Sequence, residues 1–103
     1  MQRALRKLGA DVRSARKRRR LTVRLLADRA LISPTTLGKI ENGDPGTAIG
    51  FYAAVLMVLG LGERLGELAD AAHDELGLAL AEGDLPKRVR YPSTSKPKPA
   101  GGP

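Results

Sequence analysis

Two pieces of helix-boundary chemistry lie nine residues apart and set the frame for the chain. Ser33-Pro34 opens a helix, the serine as N-cap and the proline at the first helical position. Asn42-Gly43 closes it. Between them Leu37 and Ile40 stand at i, i+3 and face inward. Thr35, Thr36, Gly38 and Lys39 are left for the outer surface. Immediately upstream, Thr22 caps a helix carried by Leu25, Leu26, Arg29 and Ala30, with Leu26 and Ala30 on one side. That pattern breaks at Leu31-Ile32. Residues 21–43 therefore predict two short helices joined by a tight turn. The second presents a small, polar, singly cationic face suited to a major groove.

The other segments predict helices around this pair. Leu5, Leu8, Val12 and Ala15 form an amphipathic stripe over residues 2–20. Ile49, Tyr52, Ala53, Leu56 and Leu59 line one face of a fourth helix opening at Thr47 or Ala48, after the Asp44–Thr47 turn. Phe51 and Tyr52 read as packing residues rather than a base-stacking platform. Gly60-Leu61-Gly62 ends that helix. Leu65, Leu68, Ala69, Ala72, Leu76 and Ala79 predict a fifth helix over 63–80. Apolar residues make up 42% of the chain but aromatics only 3%, so Leu, Ala and Val must build the core and an all-α fold is expected. At 103 residues there is room for one small core, placed here in residues 1–84. Residues 85–103 are rich in Pro, Gly, Ser and Lys. They predict a disordered basic tail, with only Leu85–Tyr91 able to order, as a short strand.

Charge is strongly segregated. Residues 1–30 hold 11 Lys/Arg against 2 Asp/Glu, residues 31–85 hold 2 against 9, and residues 86–103 hold 5 against none. The run Arg16-Lys17-Arg18-Arg19-Arg20 exceeds what a helix C-terminus needs to offset its dipole, so contact with a polyanion is expected. Enzymatic chemistry is not expected. With one histidine and no cysteine, neither a histidine-centred triad nor a zinc cluster is within reach, and the acids at 70, 74 and 75 lack calcium-loop spacing. No cofactor or metal is expected. The absence of cysteine, of an apolar leader in residues 1–14 and of a membrane-length apolar run predicts a cytoplasmic protein without a membrane partner.

The string Arg16-Lys-Arg-Arg-x-Leu-Thr, Leu26-Ala27 and Ser33-x-x-Thr36-Leu37-x-x-Ile40-Glu41-Asn42-Gly43 resembles the phage-repressor/Cro helix-turn-helix of the XRE type, over roughly residues 8–62. Ala30-Leu31-Ile32-Ser33, Gly43-Asp44-Pro45, Tyr52-Ala53-x-Val55-Leu56 and Leu85-Pro86-Lys87-Arg88-Val89-Arg90 are similar to HipB-like antitoxins found beside HipA-like kinase toxins. The resemblance implies a five-helix, lambda-repressor-like domain that binds a palindromic operator in double-stranded DNA as a homodimer and represses. In the narrower case it also binds a HipA-like kinase and autoregulates a shared operon. By position, Ser33, Pro34, Thr35 and Lys39 would face bases. Arg19, Arg20, Thr22, Arg24, Thr36 and Thr47 would lie along phosphates, and Arg16 and Glu41 would form a structural ion pair. Leu65, Leu68 and Leu76 are candidates for the dimer surface.

Three positions and one loop depart from the family pattern. Val23 stands where glutamine is frequent, and Leu31 stands where the turn glycine is usual, which implies strain. Pro34 lacks a polar side chain, and the loop 44–47 lacks cations. Base readout is accordingly expected to lean on phosphates and DNA shape. Two alternatives remain open: an adaptor using the same fold for protein contacts, and a non-specific basic nucleic-acid-coating protein.

Overall fold

The computed structural model describes residues 2–84, and the tail expected to be disordered lies outside them. The described elements are α1 (Gln2–Arg18), α2 (Val23–Ala30), α3 (Pro34–Glu41), α4 (Ile49–Val58), α5 (Gly62–Gly66), a one-turn 3-10 helix (Ala71–His73) and α6 (Glu75–Asp84). There is no strand among the described residues, so the all-α expectation holds, with six α-helices rather than five. None of these helices is long and apolar enough to cross a membrane. The chain divides into two units, Met1–Gly66 and Glu67–Pro103.

The first unit contains the core. Val12 and Ala15 of α1, Leu26, Ala27 and Ala30 of α2, Leu37 and Ile40 of α3, and Tyr52, Val55, Leu56 and Leu59 of the α4 region are buried together. Leu8, Leu21, Val23, Ile32, Ala54, Val58 and Leu61 pack around them. Tyr52 is the one aromatic in this core. Its ring is buried while its hydroxyl donates to the Asp44 carbonyl oxygen at 2.8 Å, so the residue both fills the core and anchors the loop after α3.

Helices α1 to α4 all end in one geometry. A residue in the left-handed region follows each helix: Arg20 (φ 56°), Leu31 (φ 60°), Gly43 (φ 72°) and Gly60 (φ 80°). In each case the next amide reaches back five residues, Leu21 to Arg16, Ile32 to Ala27, Asp44 to Lys39 and Leu61 to Leu56, at 2.8–3.1 Å. This is the Schellman arrangement, which satisfies the last carbonyls of a helix and turns the chain sharply. Glycine adopts that conformation without steric cost. Arg20 and Leu31 do not, and each carries strain of about 1–2 kcal/mol.

Several sequence expectations are corrected. Helix α1 stops at Arg18 rather than residue 20, because Arg20 has already turned left-handed. In α4, Ile49 is 70% exposed and Phe51 is also exposed, while Val55 takes a core position. From Ala48 to Gly62 the chain has no charged residue, so the apolar pattern alone does not say which face turns inward. The single helix over 63–80 is instead α5, the 3-10 turn and α6. The cause is local: Asp70 Oδ1 accepts the Ala72 N–H at 2.8 Å and Asp74 Oδ1 accepts the Gly77 N–H at 2.9 Å. Each aspartate caps a new start where a continuous helix would need a passive residue. The apolar stripe expected there is not a buried face: Leu65 is half-buried, and Leu68 (76%) and Leu76 (71%) are exposed.

Candidate nucleic-acid interface

The local chemistry of α3 separates its two faces. Ser33 Oγ accepts the Thr36 N–H at 3.0 Å and donates to Thr36 Oγ1 at 3.0 Å, and Pro34 follows as the first helical residue. Leu37 and Ile40 are fully buried and hold the inner face. Ser33, Pro34, Thr35 and Lys39 are exposed, and Thr36 and Gly38 are half-buried. The Ser33 hydroxyl hydrogen is used within the turn, so the Thr36 hydroxyl hydrogen is the one still able to donate outward. Asn42 is also exposed. It follows Thr35 and Gly38 at i+7 and i+4, on the same outward ridge. Asn42 is thus more than the helix stop expected of it, and its spacing from Thr35 is the signal that places it on that ridge.

Helix α2 brings its own cap. Thr22 Oγ1 accepts the Leu25 N–H at 3.0 Å, which leaves the hydroxyl hydrogen free. The Val23 and Arg24 N–H groups have no acceptor among the described residues. They add the partial positive charge of a helix N-terminus to the Arg24 side chain, which is exposed. Arg19 and Arg20 are exposed just ahead of this turn. Arg19 Nη1 donates to the Ala15 carbonyl at 2.9 Å, which ties part of its guanidinium to α1. Thr47, expected along a phosphate, is half-buried in the loop after α3. Its hydroxyl donates to Asp44 Oδ2 at 2.6 Å and its amide points to the Asp44 carbonyl at 3.4 Å, so both of its donors serve the loop beside a carboxylate.

Two devices fasten α1 to α3. The first is ionic. Arg16 Nε donates to Glu41 Oε2 at 2.7 Å and Nη2 donates to Oε1 at 3.3 Å, a two-pronged pair, while Nη1 donates to the Leu21 carbonyl at 3.0 Å. Arg16 is only 8% exposed. One guanidinium therefore joins the end of α1, the entry to α2 and the end of α3. The second device is steric, and nothing in the local sequence signals it. A Cβ on Gly9 would stand 2.5 Å from the Ile40 carbonyl oxygen and 2.7 Å from that of Glu41; one on Gly43 would stand 2.6 Å from the Arg6 backbone. The two helices touch backbone to backbone where glycine faces glycine. The arginines at the end of α1 and the outward face of α3 thus belong to one rigid body.

Of the expected dimer residues, Leu65 lies within α5, and Leu68 and Leu76 lie in the unit beginning at Glu67. No curated protein and no solved structure matches the chain. A protein family described as a helix-turn-helix domain matches residues 7–69. That span runs from the middle of α1 to beyond α5 and takes in both capped helices and the turn between them. It covers more than half of the sequence, and the chain belongs to the helix-turn-helix domain family, of the XRE-like kind.

Proposed function

We propose that this protein is a sequence-reading DNA-binding repressor that grips a palindromic operator as a homodimer. The observation that carries the reading is the split character of α3. Its inner face is locked by two fully buried residues and a serine cap, its outer face offers Thr35, Lys39 and Asn42 to solvent, and Arg19, Arg20 and Arg24 stand exposed on the elements before it. In this reading Lys39 reaches guanine or a phosphate oxygen, Thr35 and Asn42 meet base edges, and Ser33 and Pro34 set the entry of the helix. The Val23 and Arg24 amides, with Thr22 and Thr36, hold phosphate.

An eight-residue recognition helix supplies few base contacts, and a second copy on an adjacent half-site doubles them. The uncharged outer side of α4, with Ile49 and Met57 exposed, and the leucines at 65, 68 and 76 are the apolar surfaces on which two copies would pair. The narrower part of the proposal is that the repressor is the antitoxin of a HipA-like kinase and controls the operon they share. It rests on the sequence resemblance and is tested by purifying the chain together with the product of the adjoining reading frame.

The test of DNA reading is selection from a random-sequence duplex library, followed by binding to the selected site across salt concentrations. Six exposed arginines in a dimer give a slope of log K against log salt of about −5, on top of a clear preference over a scrambled duplex. Binding without that preference would make the protein a basic coat. Salt-insensitive protein capture with no DNA binding would make it an adaptor.

A further inference from the structure

Gly38 is the fifth of the eight residues of α3, where glycine destabilises a helix relative to alanine. Most other glycines in the first unit have a visible reason or stand at a turn or a helix end. Gly9 and Gly43 sit against backbone, Gly43 and Gly60 have positive φ, Gly46 lies in the turn after α3, and Gly62 opens α5. Gly38 has none. Its φ is not positive, and a Cβ built on it meets nothing within 4 Å. Gly50 and Gly66 meet equally open space, but as the second residue of α4 and the last of α5, at helix ends where propensity matters least. Nothing inside the protein asks for the missing side chain in the middle of α3, at a point that faces outward between Thr35 and Asn42.

We propose that Gly38 is the point of closest approach between α3 and the duplex, and that its missing side chain sets the depth at which Thr35, Lys39 and Asn42 reach base edges. The proposal rests on the DNA-reading function above and adds a distinct claim to it, that part of the recognition is steric. The ridge Thr35–Gly38–Asn42 has a notch at its centre. A base edge, a thymine methyl or a sugar can enter this notch and touch backbone. A methyl group there holds the helix out of the groove and lengthens every side-chain contact on either side at once. Phosphate contacts from Arg19, Arg20 and Arg24 come from other elements and are largely retained, so the loss falls on specific binding rather than on general affinity for DNA.

The substitution Gly38→Ala separates the fold from the site because its two effects have opposite signs. The full chain and the variant are compared on the 20-base-pair duplex selected by the wild type and on a scrambled duplex of the same composition. The variant should melt about 4 °C higher. It should bind the selected duplex roughly ten- to a hundredfold more weakly, and the scrambled duplex within about twofold of wild type. A variant that melts higher and binds the selected duplex as well as wild type overturns the inference while leaving the DNA-reading proposal intact. One that melts lower shows that the glycine serves the fold and also overturns it. If the wild type selects no duplex at all, the DNA-reading proposal fails first and this inference goes with it.

Discussion

At the scale of single residues, the clearest conflict between local preference and structure is at Leu31. A leucine holds φ 60°, ψ 41° and leaves its side chain 90% exposed. Leu31→Gly removes the strain, costs no packing and loosens the unfolded chain slightly, so a net gain of about 1 kcal/mol is expected. A thermal melt should rise by about 4 °C; a fall would mean that Leu31 has contacts that its exposure does not reveal. Tyr52 is a second case. Its phenol pKa is raised, first by burial and then by the nearby Asp44 carboxylate. Tyr52→Phe removes the hydroxyl's bond to the Asp44 carbonyl and should cost about 1 kcal/mol at neutral pH. A pKa raised in the folded state gives stability that is complete below the unfolded value of about 10 and is lost as pH climbs past it. Denaturant titrations from pH 8 to 12 should therefore show the gap between wild type and variant narrowing above about pH 10, whereas a constant gap would place the tyrosine pKa at its ordinary value.

At the scale of elements, what could be read in advance depended on whether a boundary is written in residue type. Ser33-Pro34 and Asn42-Gly43 are chemically unambiguous, so α3 begins and ends where the sequence reading put it. The end of α1 was not legible, because an arginine in the left-handed region looks like any other member of a basic run. Nor was the orientation of α4, whose residues are apolar on every side. Helical spacing over 63–80 was real but was overruled by Asp70 and Asp74, whose side chains cap backbone amides in place of a continuing helix. The contact between Gly9 and α3 joins residues more than thirty positions apart and leaves no local trace. The Arg16–Glu41 clasp is the element-scale feature that most invites measurement. Arg16→Met leaves the Glu41 carboxylate buried without its partner and should cost ~3–5 kcal/mol. The double substitution Arg16→Met, Glu41→Leu should recover much of that loss, since two apolar residues of similar volume leave no stranded charge. Equal loss in the single and double variants would show that the Arg16 bond to Leu21, rather than the ion pair, holds the junction.

At the scale of the molecule, segregated charge and a rigid helix pair describe one surface. The basic run Arg16 to Arg20 ends just before the capped N-terminus of α2, and α3 is bolted to α1 by a buried ion pair and a glycine-to-glycine crossing. In the proposed DNA-reading role, docking the arginines on a phosphate chain would fix where the polar ridge of α3 lands, so that positioning contacts set the base contacts through the rigidity of the core. The most direct measurement of this account is an amide chemical-shift titration of the full chain with its selected duplex. The account predicts that the largest shifts fall on Ser33 to Asn42 and on Thr22 to Arg24, with α4 responding less. Shifts confined to α4 or to residues beyond Gly66, with the Ser33–Asn42 amides unmoved, would contradict it.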